Sequence, residues 1–375
     1  MRVQEIWLPD TGERNWILLG DDFLPDEPVN RFLSFLRSLQ RSPRTIQVYA
    51  FHLKLYCQYL AENGLDWAQA GVDELAGFVH WLTQTPKYHA QVLPFEQLPP
   101  PRTKRTIYAI LSAVHEFYTY HIRIKSVPHI VLYDFVVMPH RSYKDFLYHA
   151  TKSLPVKTRI VNVKPEERKA RTVPADQVKL LIDACTHLRD RFLVSLLYNS
   201  GMRIGQCLGL RHEDVRTWDN EIDIVPRDNN LNGARAKTRT PYTVHVPMKV
   251  MQLYTDYVLQ ELVPLVTDAG TLPDYVFVNL WDGERGHPMT YANARDLLER
   301  LRKTVSKQLG TEIVFHAHLL RHTYATEKLR GNVPVEVVSK QLGHSTVATT
   351  SAVYSHLTAK DMKVYLQEKG EREPE

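Results

Sequence analysis

Residues 139–171 show almost no hydrophobic periodicity, and they separate two patterned halves of the chain. They carry Arg141, Lys144, Lys152, Lys157, Arg159, Lys164, Arg168, Lys169 and Arg171 against only Asp145, Glu166 and Glu167. A stretch with no repeating apolar face reads as an interdomain linker, so the halves must bury separate cores. At 375 residues the chain is long enough for two ordinary domains. The expected division is a hairpin arm over 1–26, a helical domain over 27–138, the basic linker over 139–171 and a larger domain over 172–375. The linker's positive excess would suit a phosphate backbone, where each neutralised phosphate steepens the salt dependence of binding.

In the first half, Val3–Leu8 and Asn15–Leu19 are short apolar runs around Pro9-Asp10-Thr11-Gly12, the pattern of a β-hairpin. Such an arm could contact DNA, but its few basic residues favour a packing flap. From Pro28 the pattern is helical. Ser42 is an N-cap with Pro43 in the first turn, and Ile46, Tyr49, Leu53, Tyr56 and Leu60 then form one apolar stripe. A second helix covers about Asp73 to Leu82. A proline-rich loop ending in Pro99-Pro100-Pro101 precedes a third helix from Thr103, with Ile107, Ile110, Leu111, Val114 and Phe117 on its inner face. The basic groups Lys54, Arg102, Lys104 and Arg105 fall at the surface of this all-α domain, as a DNA face or simply a solvated one.

After Thr172-Val173-Pro174 the larger domain opens with a helix near Asp176 to Ala184. An apolar helix follows through Phe192, Leu193, Leu196 and Leu197, punctuated by Gly201. Two β-like runs, Glu221–Val225 and Tyr242–Val246, flank a polar loop, and the remainder reads as helix. The expected class is mainly α, with a mixed α/β second domain holding a small antiparallel sheet.

Composition narrows the setting. Hydrophobic residues are 43% and charged residues 24%, as in folded soluble chains. No run approaches the roughly 20 apolar residues that cross a bilayer, and the N-terminus lacks a basic-then-apolar leader. Neither membrane nor secretion is expected. Cys57, Cys185 and Cys207 are scattered, which fits a reducing cytoplasm better than a disulfide framework or a zinc cluster. The net charge of +5 is compatible with a polyanion partner but decides nothing alone.

Four segments of the second domain carry candidate chemistry. Arg203 lies just beyond Gly201 at a helix start, where positive charge meets free backbone N–H groups as an anion site requires. Lys237, flanked by Arg235 and Arg239, sits between the two β-like runs, where a hairpin-tip lysine can reach a neighbouring groove. His318 and Arg321 are three apart, on one face of a helix. Pro334 can open a helix and Gly343 can end it, placing His344 just past the terminus; Tyr354-Ser355-His356 follows. His316, His318 and His322 cluster, but without the glutamate of a zinc helix or a cysteine they give little support for a metal. Each segment taken singly is more often structural or solvated.

Their order is specific. Arg203, Lys237, His318-x-x-Arg321, Leu342-Gly343-His344 and Tyr354 resemble the tyrosine recombinase (phage integrase) family, strongly over about 172–360 and moderately over 42–120. The resemblance implies a SAM-like core-binding domain ahead of a catalytic domain with the DNA breaking-rejoining fold. It implies a site-specific recombinase in which Tyr354 attacks a backbone phosphate to give a 3′-phosphotyrosyl link. Arg203 and Arg321 would hold the phosphate, His318 would relieve the phenol of its proton, Lys237 would protonate the leaving oxygen, and His344 would donate a hydrogen bond. Neither metal nor other cofactor is implied. The partners implied are double-stranded DNA, a homotetramer on paired sites and accessory recombination proteins. Transposition or integration of a mobile element is the role favoured within the family. Phage integration and chromosome-dimer resolution are the alternatives, with DNA relaxation or non-catalytic DNA binding more distant. Two departures stand out: Gln206 replaces the usual glutamate, and Tyr354 lies one residue further from His344 than is usual.

Overall fold

The computed structural model describes residues 1–8, 12, 14–84, 102–127, 133–136, 156–164, 171–236, 238, 240–265, 272–281, 284–344 and 346. The chain divides into two compact units, Met1–Glu167 and Arg168–Glu375.

The first unit opens with strand β1 (Arg2–Trp7) paired antiparallel to β2 (Arg14–Leu19), with Arg2 opposite Leu19 and Trp7 opposite Arg14. Trp16 and Leu18 of β2 are buried with the helices, and the Asn30 side chain bonds both the N–H and C=O of Leu18 at 2.8 Å. The hairpin is thus a packed flap.

Helix α1 (Glu27–Ser38) starts where the Asp26 carboxylate accepts from the Val29 N–H, with Pro28 in its first turn. Helix α2 (Pro43–Glu62) is capped by Ser42 as expected, its Oγ accepting from the Thr45 N–H at 3.2 Å. Helices α3 (Val72–Gln84) and α4 (Lys104–Arg123) complete the bundle. The core is aromatic: Phe32, Tyr56, Phe78, Phe117 and Tyr118 are all essentially sealed from solvent. Two buried hydroxyls are satisfied in series, Tyr56 to Tyr118 at 2.7 Å and Tyr118 to the Trp67 carbonyl at 2.8 Å.

Part of the stretch expected to be an aperiodic linker is ordered. Strand β3 (Tyr133–Val136) pairs antiparallel with β4 (Val156–Arg159). Arg159 donates to the Ser112 hydroxyl of α4 at 2.8 Å, and buried His115 bonds the Val161 carbonyl at 3.3 Å. Four-residue strands are too short to announce themselves by alternation.

The second unit is built around α6 (Leu188–Ser200), preceded by α5 (Ala175–Asp183). Phe192, Leu193, Val194, Leu196 and Leu197 are all fully buried, so α6 is apolar nearly all round and must sit inside. It packs on α8 (Met248–Tyr257), which runs on into a π-turn at Val258–Leu262, and on α10 (Ala317–Arg330). A short α7 (Ile204–Leu208) leads to a sheet of order β5 (Val215–Arg216), β6 (Glu221–Ile224), β7 (Tyr242–His245), antiparallel throughout. Helices α9 (Tyr291–Leu309) and α11 (Val335–Gln341) complete it.

The expected mainly helical class with a small antiparallel sheet is what the chain adopts. Two details differ from the sequence reading. The sheet has a third strand, β5. The segment after the π-turn is not all helix, because Tyr275 to Met289 contains extended backbone whose Val276, Phe277 and Val278 are buried and bridged to Leu210 and Met289. Among the described residues no helix is long and apolar enough to cross a membrane.

Candidate active site

The site begins at the C-terminus of α6. Gly201 adopts the left-handed conformation there, φ +66°, which favours glycine. A Cβ at this position would lie 2.6 Å from Tyr324 Cδ1 and 2.7 Å from Leu342 Cδ2, so the conformation and the crowding both demand its absence. Two residues later Arg203 is the extended N-cap of α7. Its backbone N–H donates to Gln206 Oε1 at 2.8 Å, closing the first turn from the third helical position. Gln206 Nε2 donates onward to the Tyr242 hydroxyl at 2.9 Å. The Arg203 guanidinium is desolvated, which lowers its pKa, and its Nη1 is buried with no hydrogen-bond partner among the described residues.

Helix α10 brings His318, Arg321 and His322 to the same place. Arg321 is only 3% exposed. Its Nη1 donates to the Gly201 carbonyl at 2.8 Å, and its Nη2 reaches the Leu342 carbonyl at 2.8 Å and His344 Nε2 at 2.7 Å. One guanidinium therefore joins the end of α6, the end of α11 and an imidazole. Pro334 caps α11 and Gly343, φ +62°, ends it, so that the His344 N–H closes on the Ser339 carbonyl at 3.0 Å and the ring faces Arg321. Because a guanidinium only donates, His344 Nε2 must accept, which puts the ring proton on Nδ1.

The electrostatics follow from this packing. Burial first, then His322, Arg321, His316 and Arg203, push the His318 imidazole down to about 4. Burial first, then Arg321, Arg203, His318 and His322, push His344 down to about 4. Burial likewise lowers His316 and, with Arg321 and His316, lowers His322. The described charges that shift His318 and His344 are cationic, and both rings are neutral at pH 7. A buried and a half-buried guanidinium ringed by neutral imidazoles form a pocket for an anion with imidazoles able to accept or donate a proton.

The structure thus gathers Arg203, His318, Arg321 and His344. Lys237, Arg239 and Tyr354 lie outside the described residues. Arg235 is half-buried, 3.7 Å from the exposed carboxylate of Asp228. In the first unit Lys54 is half-buried on α2, and Lys104 and Arg105 are exposed on the first turn of α4. Arg102 is engaged within its own unit: it donates to the Leu82 carbonyl at 3.3 Å and lies over the Trp81 ring. Among the described residues no group of three or more histidines, cysteines or carboxylates is placed to hold a metal ion.

Sequence reasoning missed Tyr242, which reads as an ordinary strand residue, and the two carbonyls that anchor Arg321. The available signal was Gly343, which precedes a candidate histidine and whose Cβ would collide with the Tyr242 ring.

Comparison with known proteins gives the same picture from outside. Residues 171–361 match the phage integrase family, and residues 29–125 match the phage integrase N-terminal SAM-like domain. The chain is 35% identical over 363 residues to transposase A from transposon Tn554 of Staphylococcus aureus, covering 97% of this chain and 96% of that protein. It is 33% identical over 202 residues to tyrosine recombinase XerD of Corynebacterium glutamicum, covering 51% and 59% respectively. Its fold is similar to that of the Tn1549 transposon integrase solved with a circular intermediate DNA, with TM-score 0.62, 13% identity, and coverage of 91% of this chain and 99% of that one. A lambda integrase dimer bound to a core site gives TM-score 0.55 at 14% identity, covering 87% and 94%.

Proposed function

The chain belongs to the phage integrase family of tyrosine recombinases, and on that premise we propose that it cuts and rejoins DNA at specific sites through a 3′-phosphotyrosyl intermediate on Tyr354, for transposition or integration of a mobile element. The observation that carries the reading is the guanidinium pair, Arg321 buried and Arg203 half-buried. Arg203 presents a desolvated Nη1 with no partner among the described residues, beside an Arg321 fixed by two carbonyls and His344. Such a pocket lowers the energy of a pentavalent phosphorus more than that of the ground-state diester, because negative charge grows on the non-bridging oxygens during attack.

The remaining roles follow from proton bookkeeping. A tyrosine with a pKa near 10 costs about 4 kcal/mol to ionise at pH 7, so the Tyr354 phenol needs a base. His318, neutral at pH 7, can take that proton as the phenolic oxygen bonds to phosphorus. The 3′ side stays joined to the enzyme and the 5′ oxygen leaves with a proton from Lys237. His344, with its proton on Nδ1, is suited to donate a hydrogen bond rather than transfer a proton. A 5′-hydroxyl from a second strand then reverses the step, and the phosphotyrosyl link conserves the bond energy without ATP. The DNA-bound integrase folds support DNA as the partner. To this we add, as part of the proposal, a cytoplasmic location, four protomers on two paired double-stranded sites, and accessory recombination proteins. Arg235, Arg239, Lys54, Lys104 and Arg105 are proposed backbone contacts, and Arg102 a weaker one.

Nicked suicide duplexes tiling the DNA that flanks the gene provide the test. The native chain should form a protease-sensitive covalent adduct on one of them, and Tyr354→Phe should abolish it while binding the same duplex. An adduct that persists in Tyr354→Phe overturns the nucleophile; a native chain that forms none on any duplex overturns the activity.

A further inference from the structure

We propose that Tyr242 is a positioning residue for phosphate cleavage, and that Gln206, in place of a glutamate, sets the direction of its hydrogen bond. The inference rests on the recombinase reading above. It starts from an amide whose orientation is fixed. The Arg203 N–H can only donate, so Gln206 must turn Oε1 toward it, and Nε2 is left facing the Tyr242 oxygen at 2.9 Å. That oxygen therefore accepts, and its own proton points elsewhere. The Leu342 carbonyl receives it across a long 3.4 Å. The same carbonyl accepts from Arg321 Nη2 at 2.8 Å, and Arg321 holds His344.

Contact reinforces the bond. A Cβ on Gly343 would sit 2.6 Å from Tyr242 Cε1, so the ring presses on the turn that presents His344. Tyr242 thereby couples the backbone of the first arginine to the carbonyl and turn on which the second arginine and the histidine depend. It does so from β7, which begins five residues after Lys237 in the sequence.

A glutamate at 206 would act differently. A carboxylate accepts only, so it would still cap Arg203 but would take the Tyr242 proton for itself and release Leu342. It would also place an anion beside Arg203 and Arg321. A neutral Gln206 adds no anion to the pocket that receives the phosphate.

Two variants test this on the duplex that yields the Tyr354 adduct, in single-turnover cleavage with duplex affinity measured separately. Tyr242→Phe should slow adduct formation about 10-fold with the affinity unchanged, the effect of misplacing groups that act only in the transition state. Gln206→Glu should move the acid limb of the cleavage-rate profile to higher pH. Among the described residues the groups facing His318 are His322, Arg321, His316 and Arg203, and those facing His344 are Arg321, Arg203, His318 and His322, so a new anion favours their protonated forms. The double variant should lose less than the product of the single losses, because both act through one contact.

Gln206→Glu retains the cap on Arg203, so its profile remains readable even where Tyr242→Phe unfolds. Tyr242→Phe cleaving at the native rate, or Gln206→Glu with an unmoved acid limb, overturns the inference. Either result alongside a native, Tyr354-dependent adduct leaves the recombinase reading intact; a native chain that forms no such adduct removes both.

Discussion

Arg321 is the residue on which the most groups converge, and its replacement separates charge from shape. A lysine keeps the cation but presents a single ammonium, which cannot reach the Gly201 carbonyl, the Leu342 carbonyl and His344 together. Hydrogen bonds to a charged donor contribute about 1.5–3 kcal/mol each, so Arg321→Lys should lower the unfolding midpoint as well as the rate. Cleavage should fall by about 10²–10³-fold, the usual effect of losing one transition-state donor. A near-native rate in single-turnover cleavage would show that the fork is not needed. The imidazoles make a second prediction. His115 in the first unit, and His318 and His344 in the second, are all pushed down to about 4 from an ordinary 6.5. Their folded forms hold protons more weakly than the unfolded chain does, so their contribution to stability is full above pH 6.5. It is lost as acid protonates the unfolded chain first, down to about pH 4. Denaturant midpoints should therefore decline across that window, and the decline should be shallower in His344→Gln. Midpoints flat from neutrality to pH 4 would contradict it.

At the scale of elements, the site exists because three helices end in the right places, and the end of α6 is the one most open to test. Gly201→Ala forces a side chain into the left-handed region, at roughly 1–2 kcal/mol. It also drives a methyl into Tyr324 and Leu342, an overpacking that typically adds about 1–3 kcal/mol. The variant should lose stability on that order in urea unfolding, and lose cleavage further because the Gly201 carbonyl is one anchor of Arg321. A stability equal to the native chain's would mean the turn relaxes freely. Helix ends were legible in the sequence: Ser42 as a cap and a start near Thr103 in the first unit, Gly201 and Gly343 as stops in the second, and His318 three residues from Arg321 on one face. So was the order of reactive types, because phosphate chemistry restricts which side chains serve. Strand β5, two residues long, and the β3–β4 pair were not, since alternation needs more length than they have. The buried segment around Phe277 escaped for a different reason, as a short apolar run fits helix and strand equally. Tyr242 was invisible because its meaning lies in Leu342, 100 positions away, and a strand pattern says nothing about such a contact.

For the whole molecule the governing fact is that each unit carries its own core. Among the described residues, the aromatic cluster of the first unit uses none after Val163, and the cluster around α6 uses none before Val173. A fragment ending at Glu167 should therefore unfold cooperatively by itself, with a single circular-dichroism transition; a broad, non-cooperative melt would show that it depends on the rest of the chain. The net charge of +5 alone cannot locate a polyanion contact, and the basic stretch 139–171 is the candidate for one. If that stretch follows a phosphate backbone, its cations displace counterions in proportion to the phosphates they neutralise. The logarithm of affinity then falls with the logarithm of salt by about 0.9 per contact. Lys164 is exposed, while Arg168 and Lys169 lie outside the described residues. Replacing all three by glutamine should flatten the salt dependence of duplex binding by up to about 3 in slope. Cleavage at saturating DNA should be unchanged, because none of the three is among Arg203, His318, Arg321 and His344, to which the chemistry is assigned. Anisotropy titrations over a salt series separate the outcomes. A slope that does not move means the stretch touches no phosphate, and a moved slope with slower cleavage means it also orders the pocket.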